Sequence, residues 1–133
     1  MNATPRAHPD PSEPVTSRGT PNGRKPVEAI VGSAVLAPSV SVEPTVGHSW
    51  GHQLVRVESG GDVAIYLGHL VIHPLQIARP GVHEWEHDSA IAAGPRTQYL
   101  GELADRGGLL LTTLIGGDGG GPVTRDGDGF RVD

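Results

Sequence analysis

The stretch Thr45-Val46-Gly47-His48-Ser49-Trp50-Gly51-His52, running into Gln53-Leu54-Val55-Arg56-Val57-Glu58, decides how this chain is read. Two histidines four residues apart stand between glycines, directly before an alternating run. A Gly-His turn at the start of a strand can present an imidazole to a metal, because glycine permits tight backbone angles beside the ligand. In the run that follows, Leu54, Arg56 and Glu58 alternate with Val55 and Val57, the pattern of a half-buried strand.

Working outward, Ser59-Gly60-Gly61-Asp62 has hairpin-turn chemistry, and Val63 to Leu67 reads as a more buried returning strand. Upstream, Ala34 to Pro44 contains a short alternating strand around 39–43, stopped by Pro44. A histidine-rich loop with Pro74 and Pro80-Gly81 lies downstream. From about Arg96 to Arg106, Tyr99, Leu100, Leu103 and Ala104 recur at helical spacing, and Gly107-Gly108 ends the segment. Leu109 to Ile115 reads as a buried strand. Pro122 to Val132, turning at Asp126-Gly127-Asp128-Gly129, reads as a small terminal hairpin. Strand, hairpin, helix and strand in that order give a layered α/β unit.

Composition narrows the class. The chain has 133 residues, enough for one domain. Residues 1–27 contain Pro5, Pro9, Pro11, Pro14, Pro21 and Pro26 and almost no large apolar side chains, which predicts a disordered Pro-rich tail before a domain at 28–133. The tail carries Arg6, Arg18, Arg24 and Lys25 against Asp10 and Glu13, a net of +2. Against the chain total of −5, the remainder carries −7, which argues against a nucleic-acid surface. Cysteine is absent, so disulfides and thiolate metal sites are excluded. No secretory leader pattern or membrane-length apolar run appears, and the expectation is a soluble, cytoplasmic chain with no membrane partner.

One pattern goes beyond these readings. The order Thr-x-Gly-His-Ser-x-Gly-His, strand, Gly-Gly turn, strand, then Gly68-His69-Leu70 with His73-Pro74-Leu75-Gln76, helix, apolar strand and Arg125-Asp126-Gly127-Asp128-Gly129-Phe130 resembles the C-terminal half of a metallo-β-lactamase-fold hydrolase, in the lactonase and glyoxalase-II-like branch. The likeness covers roughly residues 30–133. It implies half of an αββα sandwich and zinc-dependent hydrolysis of a lactone, thioester or related small-molecule ester.

In that family, seven ligands hold two zinc ions. The His-x-His-x-Asp-His ligands belong to the N-terminal half, and this chain has no such motif; its only histidine before His48 is His8. His48 matches the histidine of the Thr-Pro-Gly-His element, with Val46 in place of the proline. The metal-bridging aspartate falls at His69, and the last histidine ligand falls at Leu114. His52 and His73 match positions outside the ligand set. What the resemblance leaves is a metal site of His48 and His69, holding at most one weakly bound zinc ion, and no catalytic residue set. Dinuclear hydrolysis needs both ions to activate a bridging water and polarise the scissile carbonyl, so the chain alone is expected to lack family-type activity.

Other motifs stand beside this one. His83-Glu84-Trp85-Glu86-His87 matches His-Glu-x-x-His, the zinc-peptidase spacing. Pro80-Gly81 precedes it, Gly94-Pro95 is expected to break any helix soon after, and Glu102 is the only acid near the range of a third ligand. A zinc peptidase therefore stands as the lesser alternative. Asp118 sits in a glycine run without the lysine and Ser/Thr of a phosphate loop, and reads as linker. Trp50 and Trp85 read as packing anchors, Trp50 near the pocket mouth.

Half of a two-sheet sandwich would leave a sheet face (Val55, Val57, Val63, Ile65, Leu109, Leu111 or their alternates) open to water. The expected partner is a second copy or a separate chain supplying the N-terminal half. Two functions stay open: an impaired hydrolase half, and a non-catalytic association module. A decayed gene fragment is a third reading, favoured by Gly94, Pro95 and Gly101 within the helical segment.

Overall fold

In the computed structural model of the chain, residues 29–82 and 88–133 are described. The 1–27 tail and the His83–His87 motif lie outside the described residues. Gly32–Asp133 forms one unit. Its strands are β1 (Ala34–Ala37), β2 (Val40–Pro44), β3 (Gln53–Ser59), β4 (Asp62–Tyr66), β5 (Leu109–Leu111), β6 (Gly120–Asp126) and β7 (Gly129–Val132). They stand side by side in chain order, each bonded to the next. Every pairing is antiparallel except β4 with β5.

That one parallel pairing organises the layers. Antiparallel neighbours need only tight connections, whereas parallel neighbours need a long crossover. The β4–β5 crossover holds a 3₁₀ turn (Gly68–Leu70), α1 (Pro74–Ala78) and α2 (Ser89–Arg106). One crossover delivers its helices to one face of the sheet. Leu54, Val63, Ile65, Leu110 and Val123 point to that face and are buried with Tyr99, Leu100 and Leu103 of α2. In the register, Leu54 and Arg56 share their face with Glu58, Val63 and Ile65, while Val55 and Val57 pair with Tyr66 and Ala64 on the other. The expectation of a single open set is corrected accordingly. Val63 and Ile65 lie in the core, and Val55, Val57, Leu109 and Leu111 form the opposite face, with Val57, Leu109 and Leu111 exposed.

The β3–β4 hairpin turns at Gly60-Gly61, both at positive φ, with Ser59 opposite Asp62, as a two-residue hairpin turn requires. Asp126 opposite Gly129 closes the terminal hairpin in the same way. The stretch around 39–43 extends into a hairpin of its own, β1 with β2, in which β1 is the edge strand.

Two expectations are corrected by tertiary contacts. The helix begins at Ser89 rather than Arg96, and runs through Gly94-Pro95. Asp88 caps it, its carboxylate accepting from Ile91 N at 3.1 Å. An interior proline removes one helical hydrogen bond and costs about 3 kcal/mol; burial of Ala92, Arg96, Tyr99, Leu100 and Leu103 along one stripe offsets it. The second correction concerns Leu109–Ile115. Only Leu109–Leu111 is strand, and only Leu110 of these is buried. The Thr112 hydroxyl accepts from Leu114 N, and Thr112 N donates to Gly119 O, which turns the chain out of the sheet towards β6.

Charged side chains fasten α2 to the sheet. Arg56 stands on the helix-facing side of β3 and bonds Glu43 at 2.6 Å and Glu102 of α2 at 2.9 Å. Glu102 also accepts from Arg106 at 3.1 Å. The Arg56 hydrogen bond holds the Glu102 carboxyl below the usual carboxylate range. Both oxygens of Glu102 are thus engaged in holding the helix down, which removes it as a third metal ligand.

Candidate metal centre

The decisive loop, residues 45–52, joins β2 to β3. Pro44 pairs with Gln53, and the next pair out, Thr45 and His52, closes the loop: Thr45 N donates to His52 O at 2.9 Å, and the Thr45 hydroxyl bonds His52 Nδ1. This positioning role of Thr45 is not visible in a metal-ligand reading. Its signal was the placement of a hydroxyl and an imidazole at the two ends of a loop between strands.

At its tip the loop rests on α2. Gly47 O accepts from Asp88 N at 2.8 Å. Gly47 has φ +101°, and a Cβ there would lie 2.3 Å from Ala92 N. Only glycine permits this approach, and it sets the direction of His48. The His48 ring then stands edge-on to two others, 5.2 Å from His52 and 5.4 Å from His69 between ring centres. His69 enters from the 3₁₀ turn after β4 and is exposed. The structure therefore brings together the two predicted residues, His48 and His69, and adds His52 beside them.

The remaining predicted positions separate from this cluster by role. His73 caps α1, its Nδ1 accepting from Leu75 N at 3.1 Å ahead of Pro74 at the first helical position. Leu114 lies exposed in the turn after β5. Trp50 is 83% exposed, so it is no packing anchor within this chain.

Burial, followed by the neighbouring His69 and Arg96, lowers the His48 pKa. Burial, followed by His48 and His69, lowers that of His52 to about 4. Both imidazoles are thus neutral at pH 7, the form that binds metal. The sign for stability follows from linkage. The unfolded chain takes up protons near pH 6.5, the ordinary histidine value, and the folded chain resists them. Stability is therefore fully present above about pH 6.5 and is lost as the pH falls towards 4. Discounted for partial exposure, His52 contributes about 1–2 kcal/mol. Urea unfolding between about pH 7 and pH 5 should show this decline, and His52→Gln should flatten it. Glu102 acts only in the more acidic range, because its pKa is lowered from 4.5. An equal decline in His52→Gln would refute the assignment.

A donor test separates one ion from two. His48 Nδ1 is buried without a hydrogen-bond partner, which suits a ring whose position is set by something other than protein hydrogen bonds. Two imidazoles sharing a tetrahedral zinc have ring centres about 5 Å apart, close to the His48–His69 separation of 5.4 Å. Among the described residues, however, no group of three or more histidine, cysteine or carboxylate side chains is placed to hold a metal ion. His52 has one ring nitrogen committed to Thr45, and the other lies 3.1 Å from where a Gly68 Cβ would stand. The residues fit a single ion with an incomplete protein shell. They do not fit a two-metal centre.

Solved structures share this architecture. AidC, a dizinc quorum-quenching lactonase, matches with TM-score 0.65 and 22% identity over 73% of this chain and 34% of its own. This is part of a metallo-β-lactamase fold. A probable metal-dependent hydrolase from Staphylococcus aureus matches with TM-score 0.66 and 16% identity over 76% of this chain and 36% of its own. The hydrolase AbOPH of the β-lactamase superfamily matches with TM-score 0.63 and 22% identity, over 71% and 34%. The chain spans about a third of the length of these metallo-β-lactamase-fold structures. Compared with family models and with curated proteins, the sequence matches none. Among the described residues, no helix of this partial metallo-β-lactamase fold is long and apolar enough to cross a membrane.

Proposed function

We propose that this chain is a metallo-β-lactamase-type hydrolase-like protein that binds at most one zinc ion, through His48 and His69, and has lost independent hydrolytic activity. The observation that carries the reading is the edge-on pairing of these two imidazoles at the loop ends of β2 and β4, which no described carboxylate joins in a metal-holding group of three. A zinc ion held there would supply Lewis-acid character and a more acidic bound water.

The chain's own residues position and tune. Thr45 fixes the His52 ring, Gly47 fixes the approach of His48 to α2, and burial keeps both imidazoles neutral. Among the described residues, no carboxylate joins the pair in a group of three that could hold a metal ion. In the neighbouring structures, the N-acyl homoserine lactone hydrolase binds N-hexanoyl-L-homoserine at its catalytic metal centre. An acyl-homoserine lactone is thus the first substrate to try here, with a thioester beside it.

Elemental analysis of untagged protein, purified without chelators, should give a measurable amount of zinc, up to about one per chain, and His48→Ala or His69→Ala should each abolish it. The zinc-loaded chain should open the lactone no faster than buffer. Zinc near zero in the unmodified chain would remove the metal assignment, and multiple turnovers blocked by His48→Ala would overturn the claim of lost activity. A non-catalytic association role is the second reading, favoured by the uncovered sheet face.

A further inference from the structure

We infer that the uncovered face of the sheet is a self-association surface, on which a second copy of this chain packs face to face. The sheet register places Val40 and Val42 of β2, Val55 and Val57 of β3, Ala64 and Tyr66 of β4, and Leu109 and Leu111 of β5 on one side. The helices of the β4–β5 crossover lie on the other side, against Leu54, Val63, Ile65 and Leu110. Every other connection joins antiparallel neighbours, so no described helix reaches the valine and leucine face. Val57, Leu109 and Leu111 are 36%, 43% and 37% exposed. Valines of β2 and β3, of which Val42 is itself buried, are linked through Ala64 and Tyr66 of β4 to Leu109 and Leu111 of β5, a contiguous apolar patch of the kind that marks an interaction surface.

The occupant follows from charge, area and composition. On strands β2 to β5 this face carries one charged side chain, Asp62 beside the β3–β4 turn, and Asp126 and Arg131 stand on it at the β6–β7 end, away from its centre. Two copies of a chain with net charge −5 repel one another in general, but they can meet here without bringing like charges together at the centre. The whole sheet, seven strands about 4.8 Å apart and on average about five residues long, projects roughly 500 Å². Side-chain corrugation adds to this, so two copies reach the roughly 1,000 Å² that a specific interface needs. Facing sheets pack about 10 Å apart with interdigitating aliphatic side chains, which Val, Ala, Tyr and Leu can fill. The chain's own residues 1–27 are a poor cover, since Met1, Val15 and Val27 are their only large apolar side chains.

Analytical ultracentrifugation of the full chain at tens of micromolar tests the inference. A dimer is expected, insensitive to salt, with Val57→Lys and Leu111→Lys each weakening it at least about 100-fold while far-ultraviolet circular dichroism stays unchanged. A monomeric unmodified chain overturns the proposal, whether the face stays open, is covered by the chain's own N-terminal segment or awaits a different protein. A dimer that survives both lysines overturns the choice of face. Should the lysine variants fail to fold, nitroxide labels provide the second measurement, because the chain contains no cysteine. Labels at Val57→Cys should lie within about 30 Å of each other across the dimer, and labels at Gln98→Cys on α2 farther apart, given facing sheets about 10 Å apart. The reverse order overturns it.

Discussion

Arg96→Ala should unfold the domain at 25 °C or leave it at the edge of unfolding. Arg96 is fully buried, and its guanidinium donates to three backbone carbonyls: Leu70 O at 2.7 Å, Pro80 O at 2.6 Å and Val82 O at 2.8 Å. These carbonyls lie in the long crossover outside α1 and α2, at the end of the 3₁₀ turn and in the stretch after α1. Removing the guanidinium leaves two buried acceptors and one part-buried acceptor without this donor and empties a large side-chain volume. Each unsatisfied acceptor costs about 1–3 kcal/mol, so a total of about 4–6 kcal/mol is expected after partial relaxation. A domain of this size has only about 5–15 kcal/mol in hand. Urea unfolding followed by circular dichroism measures the loss. Arg96→Lys should recover part of it, because one ammonium cannot reach three carbonyls spread around a planar fork. A change below about 1 kcal/mol in Arg96→Ala would refute this account of the crossover.

The second large effect is expected at Gly47, where stability and metal binding should fail together. A methyl group there meets the Ala92 backbone at 2.3–2.5 Å, and the φ of +101° disfavours any side chain. The neighbour is helix backbone, so relief requires moving the loop away from α2. A cost of about 3 kcal/mol or more is expected for Gly47→Ala. Moving the loop also breaks the Gly47 O bond to Asp88 N and carries His48 away from His69. Zinc uptake should therefore fall in Gly47→Ala by at least as much as in His69→Ala. Gly51→Ala is the matched control: it has positive φ but open space around the added carbon, so only the conformational cost of roughly 1–2 kcal/mol applies. Equal losses in the two variants would show that the contact with α2 does not position His48.

Much of the local structure was legible because short-range chemistry specifies it. Gly60-Gly61 and Asp126-Gly127-Asp128-Gly129 turned where two-residue hairpins need them. The alternation of Leu54 to Glu58 gave a strand, and the two-sided character of that strand was evident. Which side faced the helix was not, because Arg56 looks like a solvent residue until Glu102 and Glu43 are brought to it. The same holds for Pro95. Local propensity stops a helix there, and burial of a stripe from Ala92 to Leu103 carries the helix through.

The site divides along the same line. By itself the sequence determined that His48 sits in a glycine-flanked turn before a strand and that cysteine takes no part. These are facts of residue type and near spacing. Tertiary structure decided that His48, His52 and His69 share one cluster, that His73 is a helix cap, and that Arg96 is buried beneath the crossover. It also decided which row of aliphatic side chains no described helix covers. Those outcomes depend on one parallel pairing, β4 with β5, which joins residues more than forty positions apart. No local pattern encodes such a pairing, because its free energy comes from surfaces that meet only after the chain has crossed over.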